Sequence, residues 1–230
     1  MIDFRFAPAI AVLLLATGCN NPAADAVDAK VAAAEPVNED AAGASDDTAK
    51  TEKLPLTSET TTIEFVGSKV TGSHEGGFKK FDGTFHLVSA DLAQCRLNAE
   101  IDMDSTWSDS EKLTGHLKSA DFFDVKKYPT AKFVSTKIEP ATGKKASHTI
   151  TGNLTLHGVT KSIAFPATLK ITDQAASLES EFAINRKDFK IVYPGQPDNL
   201  IRDEVVIRLK INAPRGESED TASDAPVSEA

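Results

Sequence analysis

The chain reads as an all-β protein: an antiparallel barrel, or a sandwich of the same size, of about eight strands with one short helix inserted. Three observations predict it. Apolar and polar residues alternate with period two through most of residues 60–213. Short turns rich in Gly, Asp, Asn and Thr separate the runs. The charge marks off the part that folds: residues 20–55 and 214–230 hold 13 acidic and four basic residues, whereas 56–213 hold 20 of each, so a balance of −9 sits in the flanks.

Taken in order, the strand signals begin with Ile63 and Phe65, then Phe81, Gly83, Phe85 and Leu87. In 93–103, Cys95, Leu97, Ala99, Ile101 and Met103 alternate with Gln94, Arg96, Asn98, Glu100 and Asp102, which gives one apolar and one polar face. Ala131, Phe133 and Ser135 follow, then Ile150, Gly152, Leu154 and Leu156. The next runs are Ile163 to Ile171 and Leu178 to Ile184, and the last is Val205, Ile207, Leu209 and Ile211 against Glu204, Val206, Arg208 and Lys210. The pattern breaks between Trp107 and Tyr128. There Asp109-Ser110-Glu111 starts a helix whose Leu113 and Leu117 share a face, with Phe122 and Phe123 after it. Such a helix lies across an open barrel end, as a lid or a plug. Inward positions at Gly83, Gly152, Ser135, Ser180, Ala99 and Ala167 are small or polar. They fit either a ligand-holding interior or a packed one with larger facing neighbours.

Residues 1–19 have the layout of an export signal: Arg5, an apolar run from Ala7 to Ala16, then small residues and Cys19. Leu15-Ala16-Thr17-Gly18-Cys19 resembles a bacterial lipobox, with Leu15 one place earlier than usual, so Cys19 is the expected lipidation site. Asn20 lacks the Asp that marks inner-membrane retention in enteric bacteria, which favours the periplasmic face of the outer membrane. Residues 20–55 carry 11 alanines, no aromatic residue and no helical apolar stripe; they read as a disordered spacer holding the domain on the order of 30 Å from its anchor. Residues 214–230 read as a disordered acidic tail.

Catalytic chemistry finds little support. The acidic balance argues against nucleic-acid partners. The two cysteines and five histidines show neither Cys-x-x-Cys nor His-Glu-x-x-His spacing, so no metal or cofactor is expected. No nucleophile elbow, phosphate loop or dinucleotide fingerprint is present. His74, beside Glu75 in a glycine-rich run, reads as a hairpin tip, and Cys95 as an inert buried thiol. Arg186 and Asp188 read as an ion pair fixing a barrel corner, with a head-group contact as the functional alternative.

Three ordered motifs add a resemblance. Residues 117–124 (LKSADFFD) running on through 127–133 (KYPTAKF), residues 152–161 (GNLTLHGVTK) and residues 185–189 (NRKDF) resemble the YceI-like family of bacterial polyisoprenoid-binding proteins. One departure is Lys190, where family members often have Gly. The resemblance implies an eight-stranded lipocalin-like barrel that holds an isoprenoid chain, such as a polyprenyl phosphate or quinone tail, without reacting with it. Phe85, Leu97, Ile101, Phe122, Phe133, Leu154, Phe165, Phe182 and Phe189 are then the expected lining. The alternative is a packed barrel acting as an envelope interaction protein.

Overall fold

A computed structural model describes residues 21–36, 51–88, 92–142, 146–197 and 199–215. The expected signal, lipobox and most of the acidic tail lie outside them.

The strands are β1 (Val27–Asp28), β2 (Lys30–Ala33), β3 (Thr51–Leu56), β4 (Thr61–Lys69), β5 (Gly72–Phe78), β6 (Phe81–Val88), β7 (Arg96–Asp102) and β8 (Thr106–Ser108). After the helix α1 (Glu111–Lys118) come β9 (Thr130–Pro140), β10 (His148–Leu156), β11 (Val159–Ile171), β12 (Ala175–Asn185), β13 (Gly195–Gln196), β14 (Asn199–Leu200) and β15 (Glu204–Pro214). One curled sheet runs β3-β6-β7-β9-β10-β11-β12-β15-β4-β5-β8, and β13 pairs with β14 separately. Every pairing along that path is antiparallel. The result is a curled half-barrel whose concave face takes the alternating apolar residues. Strands outnumber the eight read from alternation because the short strands carry too few residues to show a period, and the glycines of β5 hide its own.

The spacer reading changes for two stretches. Thr51–Leu56 is a strand on β6, with Leu54 and Leu56 buried. Residues 22–33 form a turn and two short strands on β12 and β11. Neither needs an amphipathic stripe of its own, because each borrows the backbone partners of a strand already in place.

Two features shape the concave face. Gly152 lies at a bulge where β10 slips by one residue against β9, and a Cβ there would collide with the ring of Phe133; the glycine lets that ring lie flat on the wall. In the β10–β11 turn, His157 (φ 51°) and Gly158 (φ 72°) are both left-handed, as a tight two-residue hairpin requires. The glycine-rich run around His74 is strand β5 instead of a hairpin tip: Gly76 and Gly77 pass beneath Phe65 and Trp107, where a side chain would not fit.

Candidate functional site

The concave face encloses a cavity of about 190 Å³. That is smaller than the roughly 300–1,000 Å³ of pockets for drug-sized ligands and suits a slim guest. Alternation builds its walls. β4 supplies Thr61, Ile63 and Phe65; β15, in register beside it, supplies Ile211, Leu209 and Ile207. Across from them Ala99, Phe133 and Leu154 come from neighbouring β7, β9 and β10. Three rings continue the wall: Phe133 lies 5.7 Å from Phe165, which stacks on Phe182 at 4.3 Å and 12°.

The helix closes one end. Ser110 caps it by accepting from the Leu113 amide, and the chain after it places Phe122 and Phe123 with Leu117 in the cavity lining. Phe65, Phe78 and Phe123 form a ring cluster with centroid separations of 5.8–6.2 Å. His116 and Phe122 each pack on Tyr193, and His116 bonds Asp121 at 2.9 Å.

Seven of the nine sequence-predicted lining residues, Leu97, Ile101, Phe122, Phe133, Leu154, Phe165 and Phe182, line the cavity. Phe85 and Phe189 are buried in the packed core and are not among the lining. Phe189 ends a short 3-10 turn against the hairpin, its carbonyl bonded to His157 Nδ1. The lining missed from sequence includes Phe65, Phe78, Ile191 and the four inward residues of β15; the β15 alternation was the signal for the last group.

Arg186 takes a structural position on this wall. Its guanidinium is buried and donates to the carbonyls of Arg202 (3.1 Å), Ile191 (2.7 Å) and Ile201 (3.4 Å) and to Asp203 Oδ1 (3.1 Å). The partner is therefore Asp203, and Asp188 is exposed on the turn. Burial lowers the Arg186 pKa from its usual value, with Asp203 and then Glu204 opposing that shift. With its donors turned to backbone, this cation pins the segment after β12. Thr61 is the complementary case. It is 3% exposed, faces the cavity, and its hydroxyl has no partner among the described residues.

The three motifs meet at one corner: the Tyr128 ring packs on His157 at 4.6 Å, and His157 bonds the Phe189 carbonyl. They hold hairpin, helix exit and 3-10 turn together. Elsewhere, His74 bonds Asp109 at 2.9 Å, and Cys95 is a buried thiol whose sulfur accepts from the Val88 amide at 3.3 Å. No group of three or more metal-ligand side chains occurs among the described residues, and no helix there is long and apolar enough to cross a membrane.

Comparison with known proteins agrees with this geometry. A UPF0312 protein of Pseudomonas putida is 41% identical over 126 residues, which cover 52% of this chain and 65% of that relative's length. The crystal structure of BcnA from Burkholderia cenocepacia superposes with TM-score 0.61 at 28% identity, covering 69% of this chain and 99% of BcnA. A polyisoprenoid binding domain from Saccharophagus degradans, implicated in plant cell wall breakdown, shares the fold at TM-score 0.55 and 15% identity, over 72% of this chain and all of that one. The model of the YceI-like domain matches residues 55–213, from the last two residues of β3 to the penultimate residue of β15, and with more than half its length in that match the chain belongs to the YceI-like family.

Proposed function

We propose that the protein binds the chain of an isoprenoid lipid in the cavity, without catalysing its conversion, at the bacterial cell envelope. The observation that carries this is the wall itself: hydrocarbon side chains apart from Thr61 and Arg186, with the guanidinium occupied by backbone carbonyls and Asp203. That a neighbour of the same fold is a polyisoprenoid binding domain supports an isoprenoid as the class of chain. Each five-carbon unit buried contributes up to about 4 kcal/mol, at about 0.8 per carbon group. Association costs about 4–15 kcal/mol, so several units must enter before binding is firm, and long chains win over short ones. The Thr61 hydroxyl, without a partner among the described residues, suits a neutral oxygen on the ligand, because Arg186, the cation among the cavity-lining residues, is already paired with Asp203 and carbonyls. Export and lipidation at Cys19 complete the reading, putting the domain beside the membrane that supplies the lipid.

The test fills the cavity. Ala99 lies on the wall between Gly83 and Phe133, and Ala99→Phe places a ring in open space. The expected outcome is a variant with an unchanged or higher melting temperature that no longer retains a fluorescent prenyl chain. Undiminished binding in a folded variant would contradict the cavity reading; wild type that takes up no prenyl chain would favour the packed envelope interaction protein.

A further inference from the structure

The segment ahead of the family domain lies in a seam of the barrel. β11 and β12 pair only from Thr168–Glu179 to Ile171–Ala176. Beyond that point the ladder fails at Pro166, which has no N–H to donate, and Ser180 Oγ donates to the Pro166 carbonyl at 2.5 Å. The strands then diverge, and residues 27–33 occupy the fork. They run parallel to β12, with Val27 and Asp28 opposite Phe182 and Ala183, and then antiparallel to β11, with Lys30 to Ala33 opposite Ala164 to Lys161. Ala29 N donates to the Ala183 carbonyl at 2.8 Å. Past the fork, the Asn153 amide clamps the backbone of Glu35 at both its N–H (2.9 Å) and its carbonyl (2.6 Å), and Thr136 Oγ1 donates to the Glu35 carboxylate. Ala29 and Val31 face inward against the main core, Val31 level with the cavity residue Ile163.

We propose that residues 27–33 are a displaceable strap, a strand added in cis that seals the β11–β12 seam, and that its release opens the cavity sideways between Ile163 and Phe182. The strap is the lightest part of the wall. Its inward side chains are an alanine and a valine, and Val27, Asp28, Lys30, Ala32 and Ala33 are exposed, so it buries little apolar surface and belongs to the easily opened end of the structure. The helical end is closed by a cluster of aromatic rings and costs more to open. At the apex of the fork the wall between cavity and surface is one side chain thick: a surface crevice of about 510 Å³ lies between Val27, Pro166 and Ser180, and Leu209 lines both crevice and cavity. The strap lies outside the stretch matched by the family model. Its role as a ligand gate rests on the lipid-binding reading; its displacement does not.

The experiment locks the strap in the full chain. Lys30 and Ala164 are opposite each other, at a spacing compatible with a disulfide. Lys30→Cys with Ala164→Cys is introduced with Cys19→Ser and Cys95→Ser. The probe is a nitrobenzoxadiazole-tagged prenyl chain moving between the protein and phosphatidylcholine vesicles. Oxidation is expected to slow transfer at least tenfold at unchanged affinity, with recovery on reduction, while Ala29→Pro, which deletes the bond to Ala183, speeds transfer threefold or more. Equal rates in the locked and reduced proteins would overturn the gate. If wild type takes up no probe, the binding reading fails and deuterium exchange decides the strap. Peptides covering 27–35 opening locally while 148–156 stay protected supports displacement; exchange of both only on global unfolding refutes it.

Discussion

The two halves of the barrel use the same side chains to opposite ends. In one half Phe85, Leu87, Cys95, Ile138, Ile150 and Ala213 are all nearly solvent-free and fill the space between the sheet faces. In the other, Phe65, Ile101 and Ile207 come from equally clean alternation but stand around a cavity. Periodicity decides which face a residue takes; whether the opposing faces meet depends on what lies between them. On the packed side the edge strand β3 folds Leu54 and Leu56 inward over Phe85, and Arg215 on the strand end ties back to Glu52. On the cavity side a helix and a cluster of rings roof the space without filling it.

The comparison can be broken by truncating residues in each half. Ile150→Ala, at a fully buried site, should cost about 3–4 kcal/mol in urea unfolding because it adds a void to a filled core, whereas Ile207→Ala only enlarges an existing one and should cost about 1 kcal/mol. Equal costs would mean that the halves are packed alike. Next in size, Arg186→Met leaves three carbonyls without their donor and Asp203 with Lys187 alone, and should destabilise by about 2–3 kcal/mol; a change below about 0.5 kcal/mol in the same assay would remove its role as the pin of that corner. A smaller gain is expected at Lys190, which caps the 3-10 turn at φ 60° and ψ 21°. Left-handed backbone penalises a side chain and favours glycine, so Lys190→Gly should stabilise by about 0.5–1 kcal/mol; a loss would show that the lysine side chain matters there.

The smallest effect concerns His86 in the packed half. Burial first, and then Lys53 across the β3–β6 pair, lower its pKa from the ordinary 6.5. The folded state therefore favours the neutral ring. Its contribution is complete above pH 6.5 and is lost as pH falls from there through the lowered folded value. His86→Gln should flatten that part of the stability profile; an unchanged slope would assign it to other groups.

How much of this was readable in advance depends on the distance of each partner. The concave wall was legible because side-chain direction in a strand is fixed by the residue's own position, as with Phe133, Leu154 and Phe182. Helix α1 was legible from Ser110 and the Leu113–Leu117 spacing. Arg186 was not, because its carboxylate, Asp203, arrives from the far side of an irregular connection while Asp188 is merely near in sequence. Phe85 and Phe189 alternate or follow strands as the lining does, and only the assembled fold shows them behind it. Residues 27–33 carried no period at all: their inward pair is Ala29 and Val31, and what holds them is backbone.

The most direct measurement of the central claim is mass spectrometry of an organic extract from the full chain purified from a bacterial periplasm, beside folded Ala99→Phe. A prenyl lipid in near-stoichiometric amount is expected with wild type, and its loss from the variant. The same lipid retained equally by both proteins would contradict that claim, as would a wild type that stays empty after incubation with a long-chain isoprenoid.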